Sequence, residues 1–183
     1  EFRRVLFRSR ERLNLEFKPA FLRTSRTIEN GTPKDTVDVV FKEIASMINT
    51  DGGFVVVGAI DPQNNDNSDE FEIVGIDSEI ENNQGADRFI LKVTSLLGKA
   101  FTPSVASNLI KSEIQDVNGK NVLIFEVKPS TELPIKLNPV GKSLKAKQRN
   151  SGYNDGAIYQ RVNDSAILVD RKSTRLNSSH RCI

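Results

Sequence analysis

The 183 residues carry 26 Lys and Arg against 24 Asp and Glu, a net charge of +2, with one His and one Cys that both fall in the last four positions. A body without either residue type excludes disulfides, Cys/His zinc sites, thiol nucleophiles and a Ser-His-Asp triad. No apolar run approaches the roughly 20 residues of a membrane-spanning helix and no secretory signal is visible, so a cytoplasmic protein is expected.

The two ends stand apart from the rest. Residues 1–9 read EFRRVLFRS and residues 170–180 read DRKSTRLNSSH, and both match reading-frame translations of a sequencing adaptor, one in each orientation. Residues 1–9 and 171–183 are therefore expected to be assembly scars of a metagenomic or transcriptomic contig, with residues 10–170 as the natural domain. Glu1 with Arg3, Arg4 and Arg8 contributes +2, and Arg171, Lys172, Arg175 and Arg181 contribute +4, which leaves −4 for the remainder. The basic balance of the whole chain is then no sign of a nucleic-acid partner, and any such footprint has to be a local patch. About 160 residues suffice for one domain with its own core.

In chain order, residues 13–18 (LNLEFK) alternate apolar and polar as a half-buried strand does, with Leu13, Leu15 and Phe17 on one face and Asn14, Glu16 and Lys18 on the other. Residues 20–32 are polar and irregular. Thr32-Pro33 then starts a helix in which Val37, Val40, Phe41, Ile44 and Ile48 recur at helical spacing, with Asp38, Lys42 and Glu43 opposite. Asn49-Thr50-Asp51 and Gly52-Gly53 end it, because short polar side chains compete for the backbone and glycine accepts positive φ. Residues 54–60 (FVVVGAI) form a continuous apolar run, the pattern of a strand covered on both faces, and Asp61-Pro62 closes it.

A polar stretch over residues 64–70 precedes a short strand at 71–76. Residues 87–101 form a second amphipathic helix, and Asn118-Gly119 joins two strands, 109–117 and 122–127, in a tight hairpin. Residues 133–137 read as a short edge strand. Residues 138–156 form a long loop with Lys142, Lys145, Lys147 and Arg149, residues 157–162 are a last strand, and residues 167–169 open something further. The class is α+β: a mixed β-sheet of about six strands with two helices.

These residues, taken in order, resemble the Schlafen AlbA_2 domain. The likeness rests on Glu11 followed by Glu16-Phe17-Lys18, on residues 45–50, on Gly52-Gly53, Gly58 and Asp61, on the return strand ending in Val74-Gly75, and on Tyr159-Gln160-Arg161. It covers almost all of residues 10–169. The resemblance implies an α+β nucleic-acid-binding fold, found in bacterial regulators and in animal proteins that act as metal-dependent endoribonucleases on tRNA and rRNA. It places the acids of such a site on Glu11, Glu16 and Asp61, with Lys18 beside them. This sequence has Ile60-Asp61 where the family often has two aspartates.

The chemistry of the residues runs beside that likeness. Three carboxylates suit one or two hard divalent ions, Mg²⁺ or Mn²⁺, which activate water and steady a phosphate in transit. Glu11 and Glu16 are an odd number apart, so a bulge or a non-strand start is needed to bring them to one face. Glu16 reads equally as an outward-facing strand acid paired with a lysine. The cations at Lys142, Lys145, Lys147 and Arg149 suit backbone phosphates or a solvated loop. Tyr159 and Arg161 suit a nucleotide clamp or the exposed side of an ordinary strand. No nucleotide cofactor is indicated, since residues 136–143 lack the first glycine of a phosphate loop. Three readings follow: a nucleic-acid-binding domain for DNA or RNA, a metal-dependent endoribonuclease using Glu11, Glu16 and Asp61, or a protein-interaction module. A homodimer is compatible with each.

Overall fold

In the computed structural model of the chain, residues 14–22, 24–25, 34–60, 72–131, 134–138, 156–163 and 165–169 are described. The organising element is the helix α1 (Thr36–Ile48), which packs against strands of two separate four-stranded sheets. Its apolar residues cover so much of its circumference that none of residues 37–48 is exposed. A helix apolar nearly all round has to be buried nearly all round.

The first sheet has the order β1 (Leu15–Lys18), β4 (Gly53–Val57), β9 (Lys120–Val127), β8 (Ile110–Val117). β1 runs parallel to β4, and the other pairings are antiparallel. The second sheet is antiparallel throughout: β12 (Ser165–Leu168), β11 (Ala157–Val162), β10 (Lys136–Leu137), β7 (Phe101–Thr102). Two short pairs complete the described strands, β2 (Thr24–Ser25) with β3 (Lys34–Asp35) and β5 (Ala59–Ile60) with β6 (Glu72–Ile73). The helices α2 (Asp77–Asn82) and α3 (Ala86–Ala100) follow β6. No described helix is long and apolar enough to cross a membrane.

The α+β class is as expected, but the strands divide between two sheets rather than joining in one, and the short α2 is an addition. α1 begins at Thr36 because Lys34 and Asp35 are taken up in pairing with Ser25 and Thr24. β10 is an inner strand, flanked by β11 and β7, where an edge strand was expected. The Asn118-Gly119 hairpin is as read: both residues have positive φ, 56° and 77°, which is what a two-residue turn of the right twist requires. Residues 165–168 pair back on β11 as its hairpin partner.

The main core lies around α1 and draws Val55 and Val57 from β4, Leu123 and Phe125 from β9, and Phe89 and Val93 from α3. Its centre is Phe21, fully buried, with its ring 5.7 Å from those of Phe41 and Phe125 and 6.3 Å from that of Phe89. Residues 20–22 had read as part of a polar irregular stretch. They are drawn inward by that ring, and the buried Glu79 carboxylate accepts the backbone N–H groups of Phe21 and Leu22 at 3.0 and 2.8 Å. A smaller cluster on the opposite face of the first sheet gathers Val56, Ala59, Val122 and Ile124, with Leu15, Phe17 and Phe54 against it. β4 is thus covered on both faces, as its composition implies.

Asn49, just past the end of α1, ties the helix to the second sheet. Its Nδ2 donates to the carbonyls of Ile135 and Tyr159 at 2.8 and 2.9 Å, and its Oδ1 accepts the Ile135 N–H at 2.7 Å. The chain then turns through Gly52 and Gly53 into β4. A Cβ at Gly52 would stand 2.5 Å from the Val127 carbonyl oxygen, and one at Gly53 would run into the Asn14 carbonyl, so only glycine passes between β1 and β9 here. Asn49→Asp keeps the acceptor but sets an anion against two carbonyl oxygens. It is expected to cost at least about 2 kcal/mol in urea unfolding, since unpaired buried polar groups cost about 1–3 kcal/mol each. A loss below about 0.5 kcal/mol would contradict the clamp.

Candidate nucleic-acid interface

β1, α1 and β11 meet at one corner of the domain, and each brings charge to it. On β1 the register pairs Glu16 with Val55 and Lys18 with Val57. Paired residues share a face, so Glu16 and Lys18 lie on the side of the main core, while Leu15 and Phe17 lie with the smaller cluster. On β11 the buried positions are Ala157 and Tyr159, and Arg161 continues that face; Gln160 and Val162 are turned outward and exposed. In both strands the polar residues of the site occupy the inner face.

The corner is a network of ion pairs. Arg161 Nη2 lies 3.0 Å from Glu16 Oε2, and its Nη1 lies 3.4 Å from Glu43 Oε2. The Glu16 Oε1 is taken by the Lys18 ammonium, and Lys42 Nζ approaches Glu43 Oε1 at 3.8 Å. Side-chain exposure grades outward, from 4% at Arg161 and 8% at Glu43 to 19% at Glu16 and Lys18 and 35% at Lys42. Among the described residues, three cations thus face two carboxylates in these ion pairs. The inner pair is the more desolvated, where charge has to be matched by charge. Among the described residues Arg161 Nε has no partner.

Burial pushes the Glu43 carboxyl above its ordinary value of 4.5, and the Glu16 anion pushes it the same way; Lys18, Lys42 and Arg161 pull it down without cancelling the rise. A carboxyl that holds its proton more tightly when folded favours the fold on acidification, and that advantage is lost as pH rises through the folded pKa.

Of the residues singled out in the sequence, the structure brings Glu16, Lys18 and Arg161 together. Tyr159 is on the same strand face but inside the main core, 9% exposed, so its ring is not a platform open to bases. Arg161 is likewise turned inward rather than lying on an exposed strand side. Glu11, Asp61, Lys142, Lys145, Lys147 and Arg149 lie outside the described residues, as does the bulge needed before Glu16. Glu43 belongs to the site although its sequence position read as the polar side of α1. Its signal was there: it stands three residues from Val40, one from Ile44 and four from Met47, within the apolar stripe, where an acid demands a cation.

The metal reading meets a definite arrangement. Both Glu16 oxygens already face cations, and among the described residues no three His, Cys, Asp or Glu side chains are grouped to hold an ion.

A family model described as Schlafen, AlbA_2 matches residues 11–170. No curated protein matches the chain at a significant level. Among solved structures, the DIP2311 protein from Corynebacterium diphtheriae is similar over 92% of this chain at 22% identity and a TM-score of 0.47, and this chain spans 24% of its length. The N-terminal domain of a RecG-related protein from Nitrosomonas europaea is similar over 75% of this chain and 80% of its own, at 17% identity and a TM-score of 0.47.

Replacing Glu43 by Gln removes its titration while keeping its shape. The stability of the unchanged chain relative to Glu43→Gln is expected to fall as pH rises from about 4.5, and to level off above the folded pKa. Thermal melts of both chains across pH 4 to 8 measure this, and parallel curves would contradict the raised carboxyl.

Proposed function

We propose that this chain, which belongs to the Schlafen AlbA_2 family, is a nucleic-acid-binding domain that meets the phosphate backbone at the β1, α1 and β11 corner. Family membership supports nucleic acid as the partner class. The observation that carries the location is the excess of cations among the described residues there: Lys18, Lys42 and Arg161 against Glu16 and Glu43 in their ion pairs, with Lys18 and Lys42 the outer cations. A surface with more donors than acceptors and graded exposure attracts phosphate oxygens, and each neutralised phosphate releases counterions. The cations Lys142, Lys145, Lys147 and Arg149 are proposed as further phosphate contacts. Such contacts serve DNA and RNA alike, because they read backbone and not bases.

A second reading, a Mg²⁺- or Mn²⁺-dependent endoribonuclease acting through Glu11, Glu16 and Asp61, is favoured by one feature of the topology. β1 and β4 are parallel neighbours, and the Gly58 N–H donates to the Lys18 carbonyl at 2.8 Å. The strand bearing Glu16 therefore ends beside the strand that leads, through Ala59 and Ile60, toward Asp61. A metal would supply Lewis acidity and an activated water; the chain's own part would be to hold it with the three acids, and Glu16 would have to give up its cations to do so.

Fluorescence anisotropy of the full chain with labelled tRNA and with duplex DNA, over a series of salt concentrations, tests the binding reading. Lys18→Ala and Lys42→Ala are each expected to weaken binding several-fold and to lower the salt slope by about one. Unchanged affinity and slope in both variants would remove the corner from the interface. Incubation of the same chain with tRNA and Mn²⁺ tests the second reading. Cleavage lost in both Glu16→Ala and Asp61→Ala would establish it, and bound but intact tRNA would rule it out.

A further inference from the structure

Four charged side chains of alternating sign are joined end to end across three elements. Glu43 on α1 meets Arg161 on β11 at 3.4 Å, Arg161 meets Glu16 on β1 at 3.0 Å, and Glu16 meets Lys18 two residues further along the same strand. The row runs from side chains 8% and 4% exposed, at Glu43 and Arg161, to side chains 19% exposed, at Glu16 and Lys18. The inner two are too deep to touch a polymer; Glu16 and Lys18, equally exposed, make the outer end, and Lys18 is its cation.

The geometry gives each member a distinct task. Among the described residues the four-residue β1 pairs with β4 alone, and backbone pairing does not fix the torsions of a long side chain. A free lysine carries about 2 kcal/mol of rotamer entropy, part of which is lost whenever it is immobilised by a ligand. Here the immobilising is done within the fold. Arg161 grips one carboxylate with each terminal nitrogen, a reach that comes from the planar fork of a guanidinium and that an ammonium lacks. Glu43 holds that fork from the helix, so the Glu16 carboxylate is fixed from behind and Lys18 is fixed by Glu16. An ammonium has three donors, so one pairing with Glu16 leaves others for a phosphate oxygen.

We infer that Glu43 and Arg161 are positioning residues that, acting through Glu16, hold the Lys18 ammonium in place for a phosphate of the nucleic acid. The inference rests on the reading of this corner as an interface. Neither inner residue touches the ligand in this arrangement, which separates it from a direct contact by Arg161.

A double-mutant cycle on the full chain tests it, with tRNA as the probe, using Arg161→Lys, Lys18→Ala and the two together. Arg161→Lys keeps the charge and loses the fork. It is expected to weaken binding about three- to tenfold with the salt slope unchanged, and to weaken it less than about twofold when Lys18 is already Ala. Glu43→Gln should follow the same pattern, which keeps the test open if Arg161→Lys melts early. Equal losses with and without Lys18 would mean a merely structural role and overturn the inference. A direct contact by Arg161 would likewise cost affinity independently of Lys18, and that independence overturns the inference too. If the unchanged chain binds no tRNA, the interface reading fails, and the row is judged by NMR instead. The ¹H–¹⁵N signal of the Lys18 ammonium at low temperature is expected in the unchanged chain and lost in Arg161→Lys. A signal missing from the unchanged chain, or unaffected by Arg161→Lys, overturns the positioning role.

Discussion

The placement of α1 between two sheets is the constraint from which the rest of the structure follows. A helix enclosed on several sides gains from every large apolar side chain it carries, about 1.5–3 kcal/mol for each one fully buried, and Val40, Phe41, Ile44, Met47 and Ile48 are all fully buried. The same enclosure leaves polar groups no water. Asn49 saturates its amide on Ile135 and Tyr159, and Ser46 donates to the Glu43 carbonyl at 2.7 Å. Glu43 cannot be satisfied by the helix and needs a cation from elsewhere. Arg161 arrives from the far sheet to provide it, and the same guanidinium reaches Glu16 on the near one. One buried guanidinium thereby links the two sheets electrostatically, and the helix between them, in addition to the shared core.

Local signals were readable wherever local physics decides the conformation. The Asn118-Gly119 hairpin, the glycine turn at residues 52–53, the apolar run of β4 and the span of α3 all depend on neighbours in sequence, and all stand as the residues suggest. The division of strands between two sheets was not readable, because periodicity states that a strand exists and not what it pairs with. Phe21 was missed for a similar reason. One aromatic residue in a polar stretch has no period, yet its ring became the centre of the core once Glu79 secured its backbone.

The site was half legible, and the half that failed is informative. Period-two alternation separated Glu16 and Lys18 from Leu15 and Phe17, and Tyr159 and Arg161 from Gln160 and Val162. Which set faces inward depends on where the larger core lies, and that is a tertiary fact. In β1 and in β11 alike the inner face carries the charged residues of the corner, while Val162 is left exposed. Sequences depart from the rule of apolar inside and polar outside mainly where function or strain outweighs it. That two strands do so at one corner, and that a helix acid in apolar register joins them, sets this place apart from an ordinary solvated surface. Its inner charges compensate one another, and its outer lysines remain near water.

The central claim is that nucleic acid meets the domain at this corner. Photo-crosslinking of 4-thiouridine-labelled tRNA to the full chain, followed by mass spectrometry of the crosslinked peptides, tests it most directly. The account predicts crosslinks to peptides containing residues 16–18 and residue 42. Crosslinks confined to the β8–β9 hairpin or to α3, with none from β1 or α1, would contradict it.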